Sequence, residues 1–264
     1  NLPQMPSAIV VQEITHTFND FNINDSLRRN VMEKGYKDPT PIQDQSIIPI
    51  LEGRDLIGIA NTGTGKTAAF LIPLLDMVLK NRSLKTLIVA PTRELAGQIR
   101  DELTSFARGL NVYSALCIGG ASMGRQISDL RRNPNFVIGT PGRIIDHIEQ
   151  KTLSLHGVTI LVLDEADRMF DMGFAPQINK ILRVVPKDRQ TMLFSATMPD
   201  GIVKIASNHM KLPVRVEIAR SGTTAENVEH ELFVVKKDQK FPLLRKLLEE
   251  YKGSVLIFLR TKFG

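Results

Sequence analysis

The stretch Leu56-Ile57-Gly58-Ile59-Ala60-Asn61-Thr62-Gly63-Thr64-Gly65-Lys66-Thr67 begins as a short apolar run, turns through glycines and enters a helical pattern. Strand, glycine-rich turn and helix in that order are what a phosphate-binding loop requires. Gly63 and Gly65 let backbone N–H groups curl around an anion with no Cβ in the way, Lys66 supplies a point charge, and the Thr67 hydroxyl is placed for Mg²⁺. Asn61, Thr62 and Thr64 complete the turn, and Ala60 stands where the general pattern has its first glycine. Such a loop caps a buried strand of a parallel sheet, so an α/β fold is expected.

Outward from this loop, short apolar runs predict strands at 56–60, 86–90, 112–118, 136–139, 160–163, 192–195 and 214–218. Helical spacing predicts helices over 67–79, 94–106, 143–148 and 178–184. The alternation implies a parallel sheet with helices on both faces and ligands beyond the carboxyl ends of its strands. Residues 1–17 read as an N-terminal extension and 18–218 as the domain; 219–227, small and polar, read as a linker. A second α/β unit then begins, with strands expected at 228–235 and 254–259. Between them a helix over 242–251 carries Leu243, Leu244, Leu247 and Leu248 on one stripe. Residues 228–264 fall short of a whole domain, so the second domain is expected to be truncated.

The 264 residues are 42% hydrophobic, enough for at least one sizeable core. A net charge of +6 permits a phosphate-rich partner, although the basic residues are scattered and only short clusters such as Arg131-Arg132 stand out. The lone Cys117 excludes a disulfide or a multi-cysteine zinc site within these residues. With neither a leader pattern nor a membrane-length apolar run, a cytoplasmic monomer without membrane attachment is expected. His147, His156 and His209 lack metal-ligand spacing, and Met169 and Met172 read as packing.

The apolar run 160–163 delivers Asp164-Glu165-Ala166-Asp167 at its end. Asp164 suits Mg²⁺, held through water, and Glu165 suits orienting and deprotonating a water that attacks a γ-phosphate. Acidic residues at a strand end also cap helices and turns. The phosphate loop earlier in the same sheet favours the catalytic role.

Together these segments resemble the DEAD-box branch of the superfamily 2 RNA helicases. Gly35-Tyr36 with Pro39-Thr40-Pro41-Ile42-Gln43 resembles the family's Q motif, with Phe18 as the isolated aromatic upstream. Pro91-Thr92-Arg93-Glu94-Leu95-Ala96, Gly119-Gly120, Thr140-Pro141-Gly142-Arg143 and Ser195-Ala196-Thr197 resemble the further motifs of the first domain. Val255-Leu256-Ile257-Phe258 with Thr261 resembles the first motif of the second, so the likeness runs from 18 to about 262. It departs from the family at Asn61, often Gln there. The resemblance implies a RecA-like fold, ATP and Mg²⁺ as cofactors, RNA as partner, and ATP-driven separation of short RNA duplexes. It also places the second-domain arginines that meet the γ-phosphate beyond Gly264. The 264-residue chain is therefore expected to bind adenine nucleotide and to hydrolyse it poorly.

Each motif carries a physical expectation. The Gln43 amide donates and accepts at once, matching adenine and mismatching guanine. Tyr36 offers a face for stacking, and the resemblance gives Phe18 a supporting role, with plain core packing as the alternative. Pro91, Thr92 and Arg93, Gly119 and Gly120, and Thr140, Pro141, Gly142 and Arg143 form loops and helix starts suited to an RNA backbone, with little base specificity. For Arg93 and Arg143 a structural ion pair is the alternative. Ser195 and Thr197 are expected to bond Asp164 and Asp167 and couple the ATP site to domain movement, or else merely to cap a helix. The Q-like motif and Asp167 argue against a related enzyme acting on DNA or a different helicase branch, whereas an ATP-dependent RNA clamp or scaffold that does not unwind would use the same residues.

Overall fold

Seven short strands, β1 (Leu56–Ile59), β2 (Thr86–Val89), β3 (Ser114–Cys117), β4 (Phe136–Gly139), β5 (Ile160–Leu163), β6 (Gln190–Ser195) and β7 (Val214–Glu217), form one sheet in a computed structural model that describes residues 14–218 and 231–258. Their order is β3-β4-β2-β5-β6-β1-β7, and every neighbouring pair is parallel. The central strands β2, β5 and β6 are buried at every position because a parallel sheet is covered on both faces. Successive side chains serve opposite cores: Ile88, Val162 and Met192 enter one cluster, while Leu87, Leu161 and Leu193 enter the other.

The first cluster is closed by α1 (Asp25–Glu33), α2 (Pro41–Leu51), α3 (Lys66–Lys80) and α4 (Arg93–Phe106). Helix α5 (Met123–Arg131) follows β3. The opposite cluster is closed by α6 (Pro141–Glu149), α7 (Ala166–Asp171), α8 (Ala175–Val184) and α9 (Asp200–His209). The expected α/β sheet with helices on both faces is thus present. Helix α6 starts two residues before the expected 143 because Pro141, with its φ preset, occupies the first turn. Helix α2 has no strong amphipathic stripe and carries Pro49 in its interior, so periodicity does not announce it. Thr15 and His16 bond Asp44 of α2 through both backbone and side chain, so chain upstream of Phe18 packs on the sheet unit.

The chain divides into two units between Gly222 and Thr223. In the second, a 3-10 turn (Lys237–Gln239) leads into α10 (Lys240–Glu250), close to the expected helix. The two expected strands are not found where their residues are described, 231–235 and 254–258. A strand exists only against a hydrogen-bonded neighbour, and neither segment meets one among the described residues. Leu232, Val234, Leu256 and Phe258 consequently stay exposed. The expected linker, 219–227, most of the N-terminal extension, and Thr261 lie outside the described residues. Among those described, no helix is long and apolar enough to cross a membrane.

Candidate functional site

The turn after β1 lies at the carboxyl end of the sheet. Gly63 and Gly65 adopt φ of +86° and +93°, the left-handed region that glycine enters without strain. A Cβ on Gly65 would stand 2.5 Å from Gln43 Nε2, so the position demands glycine on steric grounds as well. Gln43 is 1% exposed; its Oε1 accepts from Thr40 N at 2.9 Å and its Nε2 donates to Gly65 O at 3.1 Å. The side chain therefore clips the start of α2 to the glycine turn, leaving the second amide hydrogen and the second Oε1 lone pair for a base. Lys66 is buried and donates from Nζ to Ala60 O at 2.6 Å, across the mouth of the turn. Thr64 Oγ1 donates to Asn61 O at 2.8 Å; Asn61, Thr62 and Gly63 are exposed and Thr67 is half-buried.

Asp164, at the end of β5, is 2% exposed. Burial pushes its carboxyl up to about 6, the nearby Lys66 ammonium opposes that rise, and the charges of Glu165 and Asp167 reinforce it. Lys66 and Asp164 are therefore within electrostatic reach of each other, although one follows β1 and the other β5, with β6 between them. Asp164 Oδ1 accepts from Glu165 N at 3.0 Å. Glu165 sits at φ 48°, ψ 51°, a left-handed conformation that is uncommon outside glycine and costs energy, at the start of α7. Its Oε2 is 3.0 Å from Nη1 of Arg168, a partner the sequence does not flag.

Among the described residues no group of three or more His, Cys, Asp or Glu could hold a metal alone. Mg²⁺ needs no such cage, because phosphate and water supply most of its ligands. The left-handed glycines, the buried ammonium and the buried carboxylate fit a magnesium-bound triphosphate.

Asp167 meets the 195–197 segment. Its Oδ2 accepts from Ala196 N at 3.1 Å and from Thr197 N and Oγ1, each at 2.9 Å; its own N donates to Ser195 Oγ at 3.2 Å. Burial opposes its ionisation, but the bonds from Thr197, Arg168 N and Ser195 outweigh it and hold the carboxyl below its ordinary value. The expected bonds from Ser195 and Thr197 to Asp164 are not formed. Helix α7 folds back against β6, which brings Asp167 to this segment, whereas Asp164 is occupied by the amide of Glu165.

Around the Q-like motif, Tyr36 donates its hydroxyl to Glu102 Oε1 at 2.5 Å and meets Phe18 and Phe106 edge-on, with ring centroids 6.2 and 5.5 Å away. Tyr36 remains half-buried. Phe18, 1% exposed, is a core residue behind it, so packing accounts for its position.

The remaining motif residues converge on the turn after β3. Thr92 caps α4 by accepting from Leu95 N at 3.2 Å, and Pro91 and Pro141 are buried. Arg93 lies across the paired glycines: a Cβ on Gly120, itself at φ +76°, would stand 2.0 Å from Arg93 Nη1, and one on Gly119 3.5 Å from its guanidinium. The pair thus makes room for an arginine of the same domain. Arg143 Nη1 donates to Ala121 O at 3.2 Å and its Nε lies 3.3 Å from Asp146 Oδ2, so it takes the structural ion pair. Arg93 is exposed and has no ion pair among the described residues. Thr140 starts α6 without a side-chain cap bond, and Gly142 is half-buried. Buried behind this turn are Gln126 and His147, neither anticipated as a site residue; only the fold brings them there.

The sequence model for the DEAD/DEAH box helicase family matches residues 40–205. The ATP-dependent RNA helicase CshA of Listeria monocytogenes is 44% identical over 247 residues, 93% of this chain and 48% of that protein. The ATP-dependent rRNA helicase RRP3 of Meyerozyma guilliermondii is 43% identical over 249 residues, 93% of this chain and 52% of that one. The chain thus spans about half the length of the curated relatives it matches. A crystal structure of a DEAD box protein from the hyperthermophile Methanococcus jannaschii aligns with a TM-score of 0.74 and 38% identity, covering 88% of this chain and 63% of that one. A hypothetical ATP-dependent RNA helicase from Sulfolobus tokodaii aligns with a TM-score of 0.69 and 35% identity, covering 74% and 57%.

Proposed function

Because the chain belongs to the DEAD/DEAH box helicase family, we propose that it is the nucleotide-binding part of a magnesium- and ATP-dependent RNA helicase that remodels short RNA duplexes. The observation that carries this is the approach of the Lys66 ammonium to the buried Asp164 carboxyl beside a turn of left-handed glycines. Lys66 takes the β and γ phosphates, exchanging its bond to Ala60 O for them. Thr67 and Asp164 hold Mg²⁺, which neutralises phosphate charge when bound, and Glu165 orients and deprotonates the attacking water. Adenine is selected by the remaining valences of Gln43 and by Tyr36. Arg93, Thr92, Gly119, Gly120 and the start of α6 receive the RNA backbone, and Asp167 with Ser195 and Thr197 couples the two sites. Residues 18–218 form the ATP-binding domain and those from 228 onward belong to a second; a cytoplasmic monomer completes the proposal.

The family resemblance places the arginines that meet the γ-phosphate outside residues 228–264, a contribution of about 10³–10⁵ in rate. The 264-residue chain therefore binds adenine nucleotide in preference to guanine nucleotide and hydrolyses ATP slowly. Joined to a complete second domain it is an ATPase stimulated by RNA more than by DNA, and it displaces a strand from a short duplex. Equal binding of guanine nucleotide, or equal stimulation by DNA, would overturn the proposal. ATP-dependent RNA binding without displacement would identify a clamp.

A further inference from the structure

Gln126, on α5, is 4% exposed, and its Nε2 donates to Ile118 O at 3.0 Å and to Ala121 O at 3.4 Å. These two carbonyls bracket Gly119-Gly120, so one side chain clasps both ends of the glycine pair. Because the nitrogen faces two carbonyls, the orientation of the amide is settled, and Oε1 is the atom that lies 3.0 Å from His147 Nε2. Oε1 can only accept. His147 must therefore carry a proton on Nε2, while Thr152 Oγ1, 2.8 Å from Nδ1 and 3.1 Å from His147 O, shares its one hydrogen between these two acceptors. The ring is fully buried, and burial, followed by the neighbouring Arg143 charge, lowers its pKa and favours this neutral form, against a smaller opposing effect of Asp146.

His147 lies one turn after Arg143 on α6, so both project toward the same turn. Arg143 reaches Ala121 O directly and His147 reaches it through Gln126. We propose that His147 and Gln126 are positioning residues that lock the Gly119–Ala121 turn to the start of α6, so that the two RNA-backbone loops meet one strand as a single preformed surface. The proposal rests on these loops being the RNA contact. It explains a fully satisfied polar relay where apolar packing would otherwise serve: the turn carbonyls need donors, and a hydrogen-bonded relay specifies one loop geometry.

The test compares His147→Leu with His147→Gln in the whole 264-residue chain, because Gln can return an N–H toward Gln126 Oε1 and Leu cannot. Affinity for a labelled single-stranded oligouridine is followed by anisotropy, affinity for a fluorescent ADP by titration, and amide exchange at 119–121 by mass spectrometry. Leu is expected to weaken RNA binding about tenfold, the worth of one such buried bond. ADP affinity stays within about twofold and exchange at 119–121 accelerates while that of β5 does not. Gln restores most of the RNA affinity. If His147→Leu does not fold, Gln126→Glu, which keeps an acceptor for His147 and loses both donors, must produce the same separation. Unchanged RNA affinity and exchange in the Leu variant, RNA and ADP affinity falling together, or no recovery with Gln would overturn the proposal. Should the unmutated chain bind ADP but no RNA, the RNA assignment itself fails, while the exchange comparison still decides whether the relay holds the turn.

Discussion

The glycine turn after β1 and the glycine turn after β3 stand at the same end of one sheet and are built in opposite ways. The first is local and charged: its left-handed glycines, Lys66 and the strand before it are contiguous, and its one distant clip is Gln43. The second is assembled from separated segments, with Arg93 from α4, Gln126 from α5, and Arg143 and His147 from α6, mostly through neutral hydrogen bonds. A triphosphate needs concentrated donors and charge, which a short peptide can supply. A strand of nucleic acid needs a wide surface of fixed shape, which only tertiary structure supplies.

Asp164→Asn should have the largest effect on stability. The carboxyl is raised in the folded chain from 3.8 to about 6, so its contribution is full below pH 3.8 and is lost as pH rises through about 6. At pH 7.5 the Asn variant should accordingly be more stable by up to ~3 kcal/mol, and at pH 4 by much less, in urea unfolding at the two pH values. A variant no more stable at pH 7.5 than at pH 4 would mean that the charge is not buried as described. Lys66→Ala removes a charge-assisted contact worth about 2–3 kcal/mol, so nucleotide affinity should fall about 50-fold by titration calorimetry, with amide exchange at 119–121 unchanged. If both turns loosened together, they would not be independent.

Smaller effects belong to the second turn and to the link between β6 and α7. Gly120→Ala places a Cβ against Arg93 in a left-handed backbone, costing about 1–2 kcal/mol. RNA affinity should drop with it while ADP affinity holds, a separation readable by the same two titrations. Thr197→Val loses one bond to Asp167, about 1 kcal/mol, and should leave ADP affinity within twofold. A large loss of ADP affinity would show that Asp167 shapes the nucleotide site itself.

The strands of the sheet were legible because most are short apolar runs between turn residues, and the glycine turn after β1 because backbone freedom and charge are local properties. The sequence marks Gln43 as a residue of the Q-like motif but not as the clip on Gly65, since that bond joins residues far apart in sequence. Gly119-Gly120 signals close approach without saying that Arg93 fills the space. Ser195 and Thr197 are expected to bond both Asp164 and Asp167, and the fold of α7 brings only Asp167 to them. In the second unit, the apolar run Leu232-Phe233-Val234-Val235 describes a strand that needs a neighbour to exist.

The convergence of Lys66 and Asp164 on one magnesium-bound triphosphate is tested most directly by titrating ATP into the chain with and without Mg²⁺, beside Asp164→Asn. Affinity should tighten with Mg²⁺ in the unmutated chain and become indifferent to it in the Asn variant, which still binds the metal-free nucleotide. Affinity that ignores Mg²⁺ in the unmutated chain, or a Mg²⁺ response that survives in Asp164→Asn, would contradict the account.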